Sequence, residues 1–175
     1  MVSEGGTGVS PRPNRSSIAG ARVRAAALAR AGLLAAVVVG CDQLTKHTIA
    51  SGIGEGDVRH VLPAIDLVHV RNKGVAFSLF SGGGTLVLVL TLVALAILTG
   101  YLALRPERSW LWVPTGLLVG GALGNLIDRL ANGEVIDFIK LPLWPAFNVA
   151  DMAITLGVFA LLWVLEGPRV RAHGH

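Results

Sequence analysis

The chain has 175 residues, enough for one domain, and it is 53% hydrophobic but only 15% charged. An ordinary soluble domain carries about 25% charged residues, so the composition favours a membrane protein. A net charge of +4 does not mark a nucleic-acid binder, because aromatics are only 6% and the basic residues cluster at the ends of apolar runs; the one cysteine, Cys41, excludes an intramolecular disulfide framework and a multi-cysteine metal site.

Residues 1–30 are expected to form a disordered cytoplasmic tail, since Met1 to Arg24 is rich in Gly, Ser, Pro and Arg without apolar periodicity. A mainly α, four-helix transmembrane domain is expected over residues 31–167, with a second cytoplasmic tail at 168–175. The first span covers about residues 32–49 and contains Asp42 and Lys46 at i,i+4, a spacing that lets them pair. That pair either orients the helix near the membrane interface or belongs to a site.

A β region is expected at about residues 57–80. Val58 to Val61 and Ile65 to Val70 are rich in branched residues and are separated by Pro63. Asn72 and Gly74 mark a turn, and Phe77 and Phe80 are expected at the interface, so the region reads as a small sheet lying on the membrane. Gly82-Gly83-Gly84 lacks the Lys-Ser/Thr of a phosphate loop and reads as a hinge or helix start. The second span, about 85–104, is uninterruptedly apolar. The third, about 110–127, opens with Trp110 and Trp112 at headgroup depth and carries small-xxx-small spacings among Gly116, Gly120, Gly121 and Gly124. The fourth covers about 149–165.

Four spans place both termini on one side. Arg12 to Arg30, Arg105 with Arg108, and Arg169 with Arg171 all fall there, which makes that side cytoplasmic. The 51–81 and 129–148 loops then lie outside, beside an unusual polar cluster. Asn125, Asp128 and Arg129 occur at i, i+3 and i+4 near the end of span three, and Asn148 and Asp151 at i, i+3 near the start of span four. Asp137 sits on the connecting loop between Val135-Ile136 and Phe138. Ionisable groups next to hydrocarbon are functional by default.

His47, His60 and His69 are scattered, His173 and His175 lie in the C-terminal tail, and no His-Glu-x-x-His occurs, so zinc chemistry is not indicated and no metal or other cofactor is expected. Two aspartates sharing a proton suffice for peptide hydrolysis, one as base toward water and one as acid toward the carbonyl oxygen. The expected dyad is Asp137 with Asp151, and Asp128 with Arg129 is the expected supporting pair; the competing reading is that Asp151 only caps a helix.

These residues carry a resemblance. Asp42-Gln43-Leu44-Thr45-Lys46, Asn72-x-Gly74-x-Ala76-Phe77, the Gly120 to Arg129 run, Val135-Ile136-Asp137-Phe138 and Phe147-Asn148-Val149-Ala150-Asp151 occur in this order from about Gly40 to Leu165. Together they resemble the lipoprotein signal peptidase (signal peptidase II) family. The resemblance implies four transmembrane helices with an extracytoplasmic β-cradle and an aspartyl dyad at Asp137 and Asp151. It implies a multi-pass enzyme of the bacterial cytoplasmic (inner) membrane, active near the outer face. The implied substrates are prolipoproteins carrying diacylglycerol on the lipobox cysteine, cut just before it, in contact with membrane lipid; the implied inhibitor is globomycin. Asn72, Asn125, Arg129 and Asn148 match positions lining the substrate site, and Asp42, Lys46, Gly74 and Asp128 are further supporting or substrate-binding positions. The N-terminal tail is longer than the family core, and the loop from Phe138 to Ala146 is compact. Two other readings compete: a lipoprotein precursor, because Val38-Val39-Gly40-Cys41 resembles a lipobox, and a small proton-coupled transporter, because intramembrane aspartates also serve as proton relays.

Overall fold

The structure, a computed structural model, describes residues 15–72, 83–108 and 110–166. Gly74, Phe77 and Phe80 lie outside these residues. The helices are α1 (Arg15–Gly52), α2 (Gly83–Leu104), α3 (Trp112–Asn132) and α4 (Val149–Glu166). Strands β1 (Val58–Leu62), β2 (Ile65–Asn72) and β3 (Val135–Lys140) form one antiparallel sheet in the order β1-β2-β3.

Helix α1 begins at Arg15, inside the segment expected to be disordered and well before the expected span. Alanine and arginine are strong helix formers, and they dominate the stretch from Ala21 to Ala31. Packing then fixes one face. Ala27, Ala31, Ala35, Val38, Asp42, Lys46, Ile49 and Ile53 are all buried, at successive spacings of three or four. Two members of this stripe are charged, which sets the problem the rest of the fold answers.

Helix α3 lies against that stripe. A Cβ on Gly120 would stand 2.7 Å from Val38 Cβ and 2.9 Å from the Ala35 carbonyl oxygen; one on Gly124 would stand 2.7 Å from Asp42 Oδ2. The absence of side chains there lets the two helix backbones approach until Asp42 touches α3. Gly121 does the same toward Ala150 and Ile154 of α4. Helix α3 ends at Gly133, whose left-handed φ of 76° lets its N–H return to the Arg129 carbonyl.

The outer faces are apolar. Leu33, Val37, Leu44, Ile97, Leu156, Phe159 and Trp163 are exposed, a surface suited to lipid. Residues 18–52 of α1 and the whole of α4 are long and apolar enough to cross a membrane, and most of each lies unburied.

The sheet differs from expectation in one strand. β1 and β2 form a hairpin turning at Pro63-Ala64, where Ala64 takes a φ of 69°. The third strand comes from the α3–α4 connection, so Asp137 stands on a strand and not on a loop. Val135, Ile136, Phe138 and Ile139 have high strand propensity, but the partner strand is distant in sequence and no local signal points to it. Ile49, Ile53 and Phe138, with Leu67, Ile139 and Val149 against them, join the sheet to the end of α1 and the start of α4.

Candidate active site

The site is built on a buried ion cluster. Lys46 Nζ lies 2.7 Å from Asp42 Oδ2 and 2.8 Å from Asp128 Oδ2, and donates to Asn125 Oδ1 at 3.1 Å. An ammonium has three donors, and all three are used. Gln43 Nε2 donates to Asp128 Oδ1 at 2.9 Å, to Asp42 Oδ2 at 3.3 Å and to the Gly124 carbonyl at 3.1 Å. The remaining acceptors take backbone donors: Asp42 Oδ1 accepts Ala150 N–H at 2.8 Å, and Asp128 Oδ2 accepts Ile136 N–H at 3.3 Å. One cluster thus ties α1, α3, α4 and β3 together.

This corrects the expected Asp128–Arg129 pair. Consecutive helix residues do not face each other. Asp128 turns inward to Lys46, while Arg129 is exposed and, among the described residues, reaches only the Asn125 carbonyl, from Nη1 at 3.5 Å. Asp42 and Lys46 pair as their spacing predicted, but in the core and together with Asp128. Gln43 is a member that the list of candidates missed. It lies three residues before Lys46, within a motif already singled out, so shared helical facing was the available signal.

The two candidate catalytic carboxylates lie on either side of Asn148. At the start of α4, Asn148 Oδ1 accepts Asp151 N–H at 2.9 Å, and Asp151 Oδ2 accepts Asn148 N–H at 3.2 Å. This is a reciprocal capping arrangement, so Asp151 does cap its helix. Its other oxygen is used as well, since Asn125 Nδ2 donates to Asp151 Oδ1 at 2.8 Å. The Asn148 amide, its oxygen committed to the cap, turns its Nδ2 to Asp137 Oδ1 at 2.7 Å, with longer contacts to Asn125 Oδ1 at 3.1 Å and the Ile136 carbonyl at 3.3 Å. Asn72 Nδ2 donates to Asp137 Oδ2 at 2.9 Å.

Both amide orientations follow from this network. Lys46 can only donate, so Asn125 must present Oδ1 to it and Nδ2 to Asp151. Asp137 is 2% exposed, whereas Asp151 is half-buried. Burial pushes the Asp137 carboxyl above the ordinary carboxylate range; the Asn72 bond opposes this, the Asp151 charge adds to it, and Asn148 and Lys46 oppose it. Among the described residues, no grouping of His, Cys, Asp and Glu has the form of a metal site. Arranged in this way, the two carboxylates are joined through the Asn148 amide, and Asp151 is the less buried of the two.

A family model described as Signal peptidase (SPase) II matches residues 34–166. The chain belongs to the signal peptidase II family. It is 44% identical over 138 residues to the lipoprotein signal peptidase of Moorella thermoacetica, covering 78% of this chain and 92% of that protein. To the lipoprotein signal peptidase of Pelotomaculum thermopropionicum it is 41% identical over 135 residues, covering 76% of this chain and 89% of the other. A solved structure described as a bacterial membrane enzyme, obtained by the in meso method at 1.9 Å resolution, superposes with a TM-score of 0.72 at 35% identity, covering 78% of this chain and 92% of that one. As a member of the signal peptidase II family the chain is an aspartic-type protease of a membrane. The lipobox-like Val38-Val39-Gly40-Cys41 is internal to α1, directly before Asp42 of the ion cluster, so cleavage there would cut the core helix.

Two stability predictions follow from these contacts. Lys46→Met leaves Asp42 and Asp128 buried without a cation and should cost about 3–5 kcal/mol, read as a lower Tm in detergent; an unchanged Tm would show that the cluster does not hold the helices.

Asp137→Asn and Asp151→Asn should differ. At Asp137 the Asn148 donor keeps the oxygen of the new amide, so its nitrogen meets Nδ2 of Asn72, an exposed residue where solvent can take up the displaced donor. At Asp151 it meets the Nδ2 of Asn125, which Lys46 prevents from turning, so a loss of roughly 1 kcal/mol is expected. The pH dependence separates a further effect. Because the folded Asp137 carboxyl titrates above its unfolded value, its stabilising protonated form is lost as pH rises through the folded value. The Tm of Asp137→Asn relative to the parent chain should therefore increase from acidic to neutral pH, and a difference that falls over that interval contradicts the assignment.

Proposed function

We propose that this chain removes signal peptides from prolipoproteins whose lipobox cysteine carries diacylglycerol, cutting the bond before that cysteine, with Asp137 and Asp151 as the catalytic dyad. The observation carrying this reading is the pair of carboxylates set on the two sides of Asn148, with side-chain amide donors at both and a backbone N–H at Asp151. The dyad holds one proton. Burial favours that proton on Asp137, which serves as acid to the scissile carbonyl oxygen; half-exposed Asp151 takes a proton from the attacking water. Asp151 then protonates the leaving amine while Asp137 takes a proton back from a hydroxyl of the tetrahedral gem-diol, which breaks the C–N bond, releases the signal peptide and returns the dyad to its starting state.

The surrounding groups take substrate roles. Arg129 is exposed at the end of α3 and carries a planar guanidinium able to hold substrate carbonyls. Asn72, Asn125 and Asn148 position the dyad from three elements, and Gly74 is read from the sequence as a further substrate-binding position. The helices α1, α2, α3 and α4 are read as four spans with both termini in the cytoplasm, which sets the dyad near the outer face of the inner membrane. A diacylglyceryl group keeps its substrate in the bilayer, so entry is lateral, while water arrives from the extracytoplasmic side. Globomycin-type inhibitors are expected to compete at this site.

The test is cleavage of a diacylglyceryl-modified prolipoprotein by the purified chain, followed on a gel. Asp137→Asn and Asp151→Asn should each abolish cleavage, and the double variant should be no worse than either single one. Asp128→Asn should retain measurable turnover, because it acts through Lys46. A dead Asp128→Asn beside an active Asp137→Asn would move the dyad to Asp128 and Asp151.

Topology has its own test. Reporter fusions after Arg105 and at the C-terminus should read as cytoplasmic, and fusions near Gly56 and Asn132 as external; an external signal at Arg105 would overturn the four-span arrangement.

A further inference from the structure

The ladder between β2 and β3 changes register next to the dyad. Leu67 pairs with Ile139, but Val70 pairs with Asp137. Two residues of β2, Val68 and His69, therefore stand against the single Phe138, which is a β-bulge. Side chains alternate along a strand, so one inserted residue decides which face everything after it takes. An unbroken ladder running on from Leu67 and Ile139 would put His69 and Arg71 on the face of Asp137 and turn Asn72 away. With the bulge, Val70 and Asn72 take that face and Asn72 donates to Asp137 Oδ2 at 2.9 Å. Arg71 goes to the other face, where its Nε lies 3.1 Å from Glu55 Oε2. The bulge thus selects an amide over a guanidinium as the neighbour of a catalytic carboxylate. A guanidinium there would hold Asp137 ionised and remove the shared proton.

His69 is the residue that fixes this insertion. It is 4% exposed. Its Nδ1 lies 2.9 Å from the Ile53 carbonyl oxygen, which can only accept, so Nδ1 carries the hydrogen. Its own carbonyl accepts Gly56 N–H at 2.9 Å. The two bonds clamp the bulge to the turn that follows α1. Nε2 of the same ring is buried without a partner among the described residues, so imidazole is a poor filler for this position. The Nδ1 bond is what the ring supplies that an apolar side chain would not.

We propose that His69 is a positioning residue for the dyad: by pinning the β2 bulge it sets the phase that places Asn72, and not Arg71, beside Asp137. The proposal rests on the assignment of Asp137 to the dyad, and two readouts keep it separable from that assignment.

The first readout is independent of activity. In a Cys41→Ser background, Asn72→Cys with Val135→Cys should form a disulfide, since these residues are direct partners. Adding His69→Leu should weaken that link and let Arg71→Cys with Val135→Cys form instead. The second readout is steady-state kinetics on diacylglyceryl-modified prolipoprotein. His69→Leu should lower kcat about tenfold or more with little change in KM. His69→Asn, which keeps a donor at the Nδ1 position, should restore most of kcat, while His69→Gln, which moves the donor outward, should not. In an Asn72→Ala background, His69→Leu should cause no further loss.

Equal kcat for the Asn and Gln variants, an unshifted disulfide, or the same fold-loss in the Asn72→Ala background would each overturn the proposal. A disulfide that shifts as expected, alongside a parent chain that cleaves nothing, would support the bulge argument and reject the peptidase reading.

Discussion

The structure depends on burying the ammonium of Lys46. A lone charge in a helix that faces hydrocarbon is strongly unfavourable unless it is paired and fully hydrogen-bonded. Two carboxylates and an amide oxygen surround it, supplied by α1 and α3, and the carboxylates in turn need donors. Those donors are Gln43, the N–H of Ala150 at the start of α4 and the N–H of Ile136 on β3. Satisfying one cation therefore fixes three helices and a strand in relation to one another. The glycines of α3 are the steric side of the same requirement, because Asp42 reaches this position only where Gly124 carries no Cβ. Buried ion clusters contribute little net stability compared with a well-packed apolar core. What this one contributes is register, and register is what an active site built from four elements needs.

Orientation passes from that cluster to the dyad through amides. The Lys46 donor fixes one side of the Asn125 amide, which then has only its donor side to offer Asp151. The cap of α4 fixes the Asn148 amide in the same way, and its donor side faces Asp137. Capping and the catalytic role proposed for Asp151 are thus compatible, since one oxygen serves the helix end and the other faces the network. The site is rigid because no amide in this chain of contacts can turn over without losing a bond to a charged or backbone group.

Much of this was legible in the sequence, and the remainder failed for identifiable physical reasons. Apolar runs gave the approximate helices, and the i,i+3 spacings Asn125–Asp128 and Asn148–Asp151 located two faces of the cluster. Residues adjacent in sequence misled: Asp128 next to Arg129 looked like a pair, but on a helix they diverge, and the cation of Asp128 comes from Lys46, distant in sequence. Long-range pairing was equally hidden. Nothing local in Val135 to Lys140 identifies β2 as its partner, so a strand bearing Asp137 was read as a loop. The early start of α1 was masked by composition, because glycine and proline near the terminus coloured a stretch whose alanines form helix. The bulge at Val68 and His69 has no sequence signature at all; it is visible only as a change of partners across a ladder.

The arrangement also resolves a conflict between positioning and protonation. A dyad that shares one proton must be held firmly, and the strongest holds available to a carboxylate are cations. Yet a cation in direct contact would ionise the carboxylate and end the sharing. Here the Lys46 cluster and the proposed dyad are separated by the Asn125 and Asn148 amides. Lys46 reaches Asp151 through the Asn125 amide, and burial, not this cation, dominates the Asp137 carboxyl. On the sheet side the same separation is achieved by phase, with Arg71 turned outward to Glu55 and Asn72 turned inward. Neutral amides transmit direction without transmitting charge, and that is the property the residues next to Asp137 and Asp151 have in common.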